Sequence, residues 1–249
     1  VLIVNTCSFI SDAKEESIKT ILELARHKET GACRALLVTG CLAQRYPGEL
    51  LDEMPEVDGV VGTGSIPEIP EVIHRAIGGE RVSLVGTPGY LPAWATPRVQ
   101  ATPPYTAYLK IAEGCDNRCA YCTIPEVRGP FRSRQPGDIL EEAGVLARRG
   151  VKEMILVAQD TTRYGLDLYG KPALGDLIRG LVRVEGLVWL RLLYAYPTLL
   201  TDDIIDLLAK ENKLCRYLDL PLQHAHPEVL RRMRRPHDVE RIARLIEDL

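Results

Sequence analysis

The sequence predicts an α/β chain in two parts: an N-terminal doubly wound parallel α/β domain over residues 1–85, and a partial TIM-like barrel over residues 107–249. Three observations predict this. Short β-rich runs alternate with helical stretches in both parts, a pattern that pairs strands in parallel through helical crossovers. Polar loops follow each strand of the second series, as in folds whose chemistry sits at the strand carboxyl ends. Between Gly86 and Thr106 the pattern stops, because Pro88, Pro92, Pro97, Pro103 and Pro104 break any regular element. Residues 86–106 are therefore expected to be a Pro-rich linker draped over a surface.

In the first part, Val1 to Val4 reads as a buried strand. Ser11 is a plausible N-cap for a helix with Ile18, Ile21, Leu22 and Ala25 on one face and Gly31 beyond its end. A second strand at Ala35 to Val38 precedes a short helix near Pro47 to Met54. A third strand at Val57 to Val61 precedes a helix at Pro67 to Ile77. In the second part, strands are expected at Ala107 to Ala112, Glu153 to Ala158, Val188 to Leu193 and Tyr217 to Leu220. Helices are expected near Pro136–Arg149, Leu174–Val184, Asp202–Lys210 and Val239–Leu249.

Composition narrows the function classes. With 249 residues, 46% hydrophobic, the chain can bury a substantial core in one large or two modest domains. Thirty-one basic against 34 acidic side chains exclude a globally basic nucleic-acid binder, though not a local basic patch. Twenty Gly and 17 Pro are too few for a collagen-like or low-complexity chain. No apolar run approaches the roughly 18–20 residues of a membrane helix, and no charged-then-apolar signal segment is present. No membrane association and a reducing cytoplasm are expected. The chain starts at Val1 inside an apolar run and stops at Leu249 inside a helical pattern, so it reads as a piece cut at both ends.

Seven cysteines, an odd number without a secretory signal, favour metal or redox chemistry over a disulfide framework. The strongest signal is Cys115-x3-Cys119-x2-Cys122, directly after the first strand of the second part. Three thiolates within eight residues of loop can wrap one soft metal centre. On a four-iron cluster, three ligands leave one iron open to an outside ligand. Zinc would want a fourth protein ligand nearby, and none follows within a dozen residues. A thioredoxin-like pair, Cys119 and Cys122, would leave Cys115 without a role. Cys7 and Cys41 each lie just past a predicted strand, the edge where open α/β sheets bind ligands, but two cysteines alone do not make a cluster and read first as small buried residues.

The trio, with Tyr121 just before its third cysteine, resembles the signature of the radical S-adenosylmethionine (SAM) superfamily, whose domain is a (βα)6 TIM-like barrel. In that superfamily SAM chelates the open iron, and one electron from the cluster breaks a C–S bond to give a 5′-deoxyadenosyl radical. The stretches Tyr108–Cys115, Ile124–Arg134, Val4-Asn5-Thr6-Cys7 and Val38-Thr39-Gly40-Cys41 resemble the methylthiotransferases, over essentially the whole chain. That resemblance implies a second, auxiliary four-iron cluster on three cysteines. Two match as Cys7 and Cys41, and the third would lie upstream of Val1. On this resemblance the auxiliary cluster is expected to be incomplete within these 249 residues, and the family's small C-terminal TRAM-type domain is expected to lie outside them. Cys33 and Cys215 match no ligand position and are read as unligated thiols.

Four segments resemble the RimO-type branch, which modifies a ribosomal protein, more than the MiaB-type branch, which modifies a transfer-RNA adenosine: Ala158–Gly165, Leu190–Pro197, Arg128–Arg134 and Phe9. The implied reaction places a methylthio group on the β-carbon of an aspartate in the twelfth protein of the small ribosomal subunit. It needs two SAM-dependent steps and an electron donor such as flavodoxin or ferredoxin. A non-enzymatic zinc or iron–sulfur module is the alternative outside enzymes. Cofactor contacts are expected from Tyr121 near the adenine, Glu153 toward the SAM amino group and Arg191 toward its carboxylate. Gln159, Asp160 and Gln223 would complete the barrel rim. His224 and His226 are too poorly placed for a zinc site. The run Arg231–Arg235 reads as a solvated helix face. Residues 98–134 carry an excess of three positive charges, which could face an acidic partner or nearby ribosomal RNA.

Overall fold

A computed structural model describes residues 1–236 and 238–249. They divide into two compact units: Val1–Tyr90 with Cys122–Gly129, and Leu91–Tyr121 with Pro130–Leu249.

The first unit contains β1 (Leu2–Thr6), α1 (Ser11–Thr30), β2 (Leu36–Gly40), α2 (Cys41–Arg45), α3 (Pro47–Glu53), β3 (Gly59–Val61), α4 (Ile69–Ile77), β4 (Val82–Leu84) and α5 (Ile124–Arg128). Its four strands are parallel and stand in chain order, β1-β2-β3-β4. Because strand side chains alternate, β2 serves two cores. Leu36 and Val38 join Ile21 and Ala25 of α1 with Leu42 and Leu50 on one face, and Leu37 joins Val72 and Ala76 of α4 on the other. Helices thus cover both faces, as the predicted doubly wound class requires. Each of the leucine, isoleucine and valine side chains among them contributes about 1.5–3 kcal/mol on burial. At the amino end of β2, Asp58 accepts from Leu36 N (2.7 Å) and from Lys28 Nζ at the end of α1 (2.8 Å).

Two local expectations for α1 are corrected. Ser11 is the first helical residue, with extended Ile10 before it, and Gly31 is extended rather than left-handed. The buried stripe is Ser17, Ile21 and Ala25, while Ile18 and Leu22 are 41% and 46% exposed. An i, i+4, i+8 line meets the sheet, so the residue beside each member turns outward.

The second unit contains β5 (Thr106–Lys110), β6 (Ala112–Glu113), β7 (Arg132–Ser133), α6 (Pro136–Arg148), β8 (Glu153–Val157), α7 (Leu166–Tyr169), α8 (Leu174–Leu181), β9 (Trp189–Leu192), α9 (Asp202–Lys210), β10 (Leu214–Leu218), α10 (Pro227–Arg232) and α11 (Val239–Asp248). Strands β5, β8, β9 and β10 form a parallel sheet in that order, and β6 pairs antiparallel with β7 as a small hairpin. Helices α6, α8 and α9 bury Ile139, Ala143, Leu146, Leu174, Ile178 and Ile204 against one face only. Single-faced cover over consecutive parallel strands is the layering of a partial TIM-like barrel. Cys215 lies inside β10, not before it, because that strand begins three residues earlier than its hydropathy suggests.

Buried Arg134 organises the entry to α6. Its guanidinium binds Asp138 (2.5 Å), Glu142 (2.6 Å) and the Lys110 carbonyl (2.7 Å). The proline-rich segment lies along the same helix, with Trp94 N donating to Asp138 (2.7 Å) and Arg98 pairing with Glu142 (2.6 Å).

Candidate active site

The carboxyl ends of β8, β9 and β10 are laced together by short polar contacts. Thr161 Oγ1 donates to the Leu193 carbonyl (2.7 Å), Thr162 Oγ1 lies 3.3 Å from the Tyr196 carbonyl, and Ala195 N donates to Asp219 O (3.0 Å). Threonines suit this edge because a short hydroxyl reaches a neighbouring backbone without leaving the strand-end turn.

Onto this edge the cysteine-bearing loop is tied at several points. Asn117 Nδ2 donates to Asp160 Oδ2 (2.9 Å). Asp116 accepts from Phe131 N (3.0 Å) and pairs with Arg163 (3.2 Å). Ala120 N donates to the Met233 carbonyl (3.0 Å). Cys115 is buried and Cys119 half-buried. Asp160 is 1% exposed, and burial pushes its carboxyl above the ordinary value, against hydrogen bonds from Thr162 and Asn117 and the charge of Arg163.

Gln159, beside it, donates from Nε2 to Glu113 Oε1 (2.7 Å). Glu113 also pairs with Lys110 and is buried two residues before Cys115. The amide oxygen of Gln159 is buried and meets no donor among the described residues. It is an acceptor suited to an ammonium or amide N–H.

Two predicted cofactor contacts are placed differently. Glu153 starts β8, at the opposite end of the strand from Gln159 and Asp160, and forms an ion pair with Arg191 of β9 (2.8 Å). That bond raises the Arg191 pKa, and the guanidinium also stacks 5.3 Å from the Tyr217 ring centroid. The two charges satisfy each other on the sheet's inner face, so neither lines the rim. Gln223 does follow β10 at the carboxyl end, exposed and left-handed (φ 74°). Tyr121 is 42% exposed at the end of the loop. His224 and His226 act as local caps, accepting from His226 N (2.9 Å) and Glu228 N (3.2 Å).

Sequence reasoning missed Arg235. Arg231 and Arg232 are exposed and pair with Glu228, as a solvated face should. Arg235 turns inward, 7% exposed. Its Nη1 lies 3.8 Å from Cys119 Sγ, its Nη2 donates to the Pro221 carbonyl, and its guanidinium stacks 4.3 Å from the Tyr196 ring centroid. Tyr196 also hydrogen bonds Cys119, and burial holds its phenol above the ordinary range. No periodic signal separates Arg235 from its exposed neighbours, since left-handed Arg234 breaks the helix between them.

In the first unit, paired Thr6 and Gly40 end β1 and β2, so Cys7 and Cys41 leave adjacent strands at matching heights. Gly40 (φ 97°) is required there, because a Cβ would meet Thr6 O at 2.4 Å. Cys7 is further fixed by Ser17, whose Oγ accepts from Cys7 N (3.2 Å) and donates to Ala13 O (2.8 Å). Among the described residues, no three Cys, His, Asp or Glu side chains converge closely enough to hold a metal ion.

Residues 109–249, more than half the chain, match the Radical SAM superfamily, and residues 1–62 match the uncharacterized protein family UPF0004. The chain belongs to the radical SAM superfamily. Its members use a four-iron cluster and SAM, and the donor chemistry of the second unit suits both: Cys115 and Cys119 are soft thiols on a loop tied to the end of β8, where Gln159 Oε1 is buried and meets no donor among the described residues. The chain is 65% identical over all 249 residues to a ribosomal protein uS12 methylthiotransferase RimO of Pelotomaculum thermopropionicum, covering 56% of it. It is 57% identical over 235 residues, 94% of this chain, to the protein of the same name from Desulforudis audaxviator, covering 52% of that one. The chain thus spans about half the length of these relatives. These names agree with the RimO-type resemblance over the MiaB-type alternative. Among solved structures, the radical SAM methyltransferase TsrM from Kitasatospora setae superposes with a TM-score of 0.67 at 16% identity, over 100% of this chain and 53% of that one. At that identity the likeness concerns the fold, and the α/β class with a partial radical-SAM barrel stands on it.

Proposed function

We propose that this chain is part of a methylthiotransferase that adds a methylthio group to the β-carbon of an aspartate in ribosomal protein uS12. The reading is carried by the cysteine loop tied to the carboxyl end of β8 through Asn117 and Asp160, in a chain 65% identical throughout to a uS12 methylthiotransferase. Residues 1–85 would be the methylthiotransferase N-terminal domain, 86–106 a linker and 107–249 the radical SAM domain.

Cys115, Cys119 and Cys122 would hold the radical cluster, and Cys7 and Cys41 two of three ligands of an auxiliary one. A four-iron cluster with SAM, when bound, supplies the one-electron cleavage needed to attack an unactivated C–H bond. This chain's own residues then have defined tasks. Asn117, Asp116 and Ala120 fix the loop. Gln159 offers its buried amide oxygen to the SAM ammonium, and Glu113 orients that amide. Thr161 and Thr162 hold the next strand end in place. Ser17 and Gly40 set the positions of Cys7 and Cys41. Electrons would come from a donor such as flavodoxin or ferredoxin, in the cytoplasm, with ribosomal RNA near the basic excess of residues 98–134.

The test is an anaerobic assay of the full-length protein with SAM, sulfide and reductant, offering uS12 and transfer RNA separately. Mass spectrometry should find the methylthio group on an aspartate of uS12. Modification of transfer RNA with uS12 untouched would replace this reading with the adenosine-modifying one.

A further inference from the structure

Arg235 is a buried cation without an anion. Among the described residues it meets the Pro221 carbonyl, the Tyr196 ring and the Cys119 sulfur, and no carboxylate pairs with it. Its Nε is buried and meets no acceptor among the described residues. The other buried arginine among the described residues of this unit, Arg134, meets two carboxylates. An uncompensated charge away from water costs several kcal/mol, so such a group is retained where a compensating charge arrives in the working state. The nearest group able to carry negative charge on binding metal is the Cys119 thiol.

We propose that Arg235 is a positioning residue that supplies the counter-charge for the metal-bound Cys119 thiolate. Its fixed positive charge, 3.8 Å from Sγ, favours the one-electron-reduced state of the bound cluster. This inference rests on the cluster reading above. The balance is simple: one electron enters from an external donor, no bond to Arg235 forms or breaks, and the guanidinium keeps its protons. Net charge and hydrogen bonds at the sulfurs are established determinants of cluster potential. Its lack of a carboxylate leaves the full charge acting on the sulfur, and Tyr196 and Pro221 hold the guanidinium in place without neutralising it.

The test uses the chain in a Cys7→Ser, Cys41→Ser background, so that bound iron reports on the loop cysteines alone. Ferrous iron and sulfide are loaded anaerobically, and iron content, folding by circular dichroism and the EPR-active reduced fraction at one fixed solution potential are measured. Arg235→Gln should load iron yet show a reduced-to-oxidised ratio at least fivefold lower, and Arg235→Lys, which keeps the charge, should recover most of it. If Arg235→Gln does not fold, Arg235→Met takes its place with the same expectation. Normal loading with an unchanged ratio in the neutral variant would overturn the role of Arg235 and leave the cluster reading standing. Failure of the parent chain to load iron would overturn the cluster reading, and this inference with it.

Discussion

Asn117 reaches from the cysteine loop to Asp160 at the end of β8, its amide nitrogen 2.9 Å from Oδ2. This bond joins the cysteine loop to the strand end proposed above as the SAM site. A hydrogen bond to a charged or buried carboxyl is worth about 1.5–3 kcal/mol. Asn117→Ala should therefore loosen the loop more than it destabilises the fold. The expected outcome is iron content after reconstitution falling at least threefold, with Tm lowered by no more than a few degrees. Equal iron content would remove the tie from the account.

Asp160 also makes a pH prediction. Burial raises its folded pKa above the unfolded value, so the folded state favours the protonated form. The stability this contributes is fully present below the unfolded value of about 4 and is lost as pH rises through the raised folded value. Asp160→Asn removes that loss. The Tm difference between variant and parent should shift in the variant's favour as pH rises from about 4, measured on the apo-protein; a flat difference would contradict it.

Glu153 and Arg191 satisfy each other away from the rim, whereas the buried amide oxygen of Gln159 meets no donor among the described residues. Glu153→Gln should change SAM affinity of the reconstituted protein less than twofold, and Gln159→Ala should weaken it about tenfold, the scale of one lost buried hydrogen bond. Equilibrium dialysis with labelled SAM measures both. The reverse order would restore Glu153 as the SAM contact.

Gly40 holds β2 against β1 at the point where Cys41 begins α2. Gly40→Ala forces a Cβ onto Thr6 O in a left-handed backbone, a clash of roughly 2–4 kcal/mol. Thermal unfolding should show Tm lower by about 5–15 °C. Arg134→Lys is the matching test in the second unit: a lysine cannot span Asp138, Glu142 and the Lys110 carbonyl together, and Tm should fall by a similar amount.

Much of this was legible in the sequence, for identifiable reasons. The helix at Asp202–Lys210 follows its pattern to the residue, because acidic residues open it and a lysine closes it. The cysteine spacing singled out the loop that Asn117 ties to the end of β8, because three thiols so close together suit one soft metal centre. Strand limits drifted where cores override propensity, as at β10. The failures are tertiary. Ile18 and Leu22 are apolar yet face outward, since the docking line of α1 is set by the sheet. Glu153 looked like a cofactor contact because sequence does not tell the two ends of a strand apart by function. Arg235 was hidden in a basic run, and only a left-handed residue before it turns it inward.

The most direct measurement is anaerobic reconstitution of the chain in the Cys7→Ser, Cys41→Ser background, followed by EPR of the reduced protein with and without SAM. The account predicts about four irons per chain, a cluster signal that changes shape when SAM is added, and loss of both in Cys119→Ala. Iron that does not load, or a signal indifferent to SAM, would contradict it.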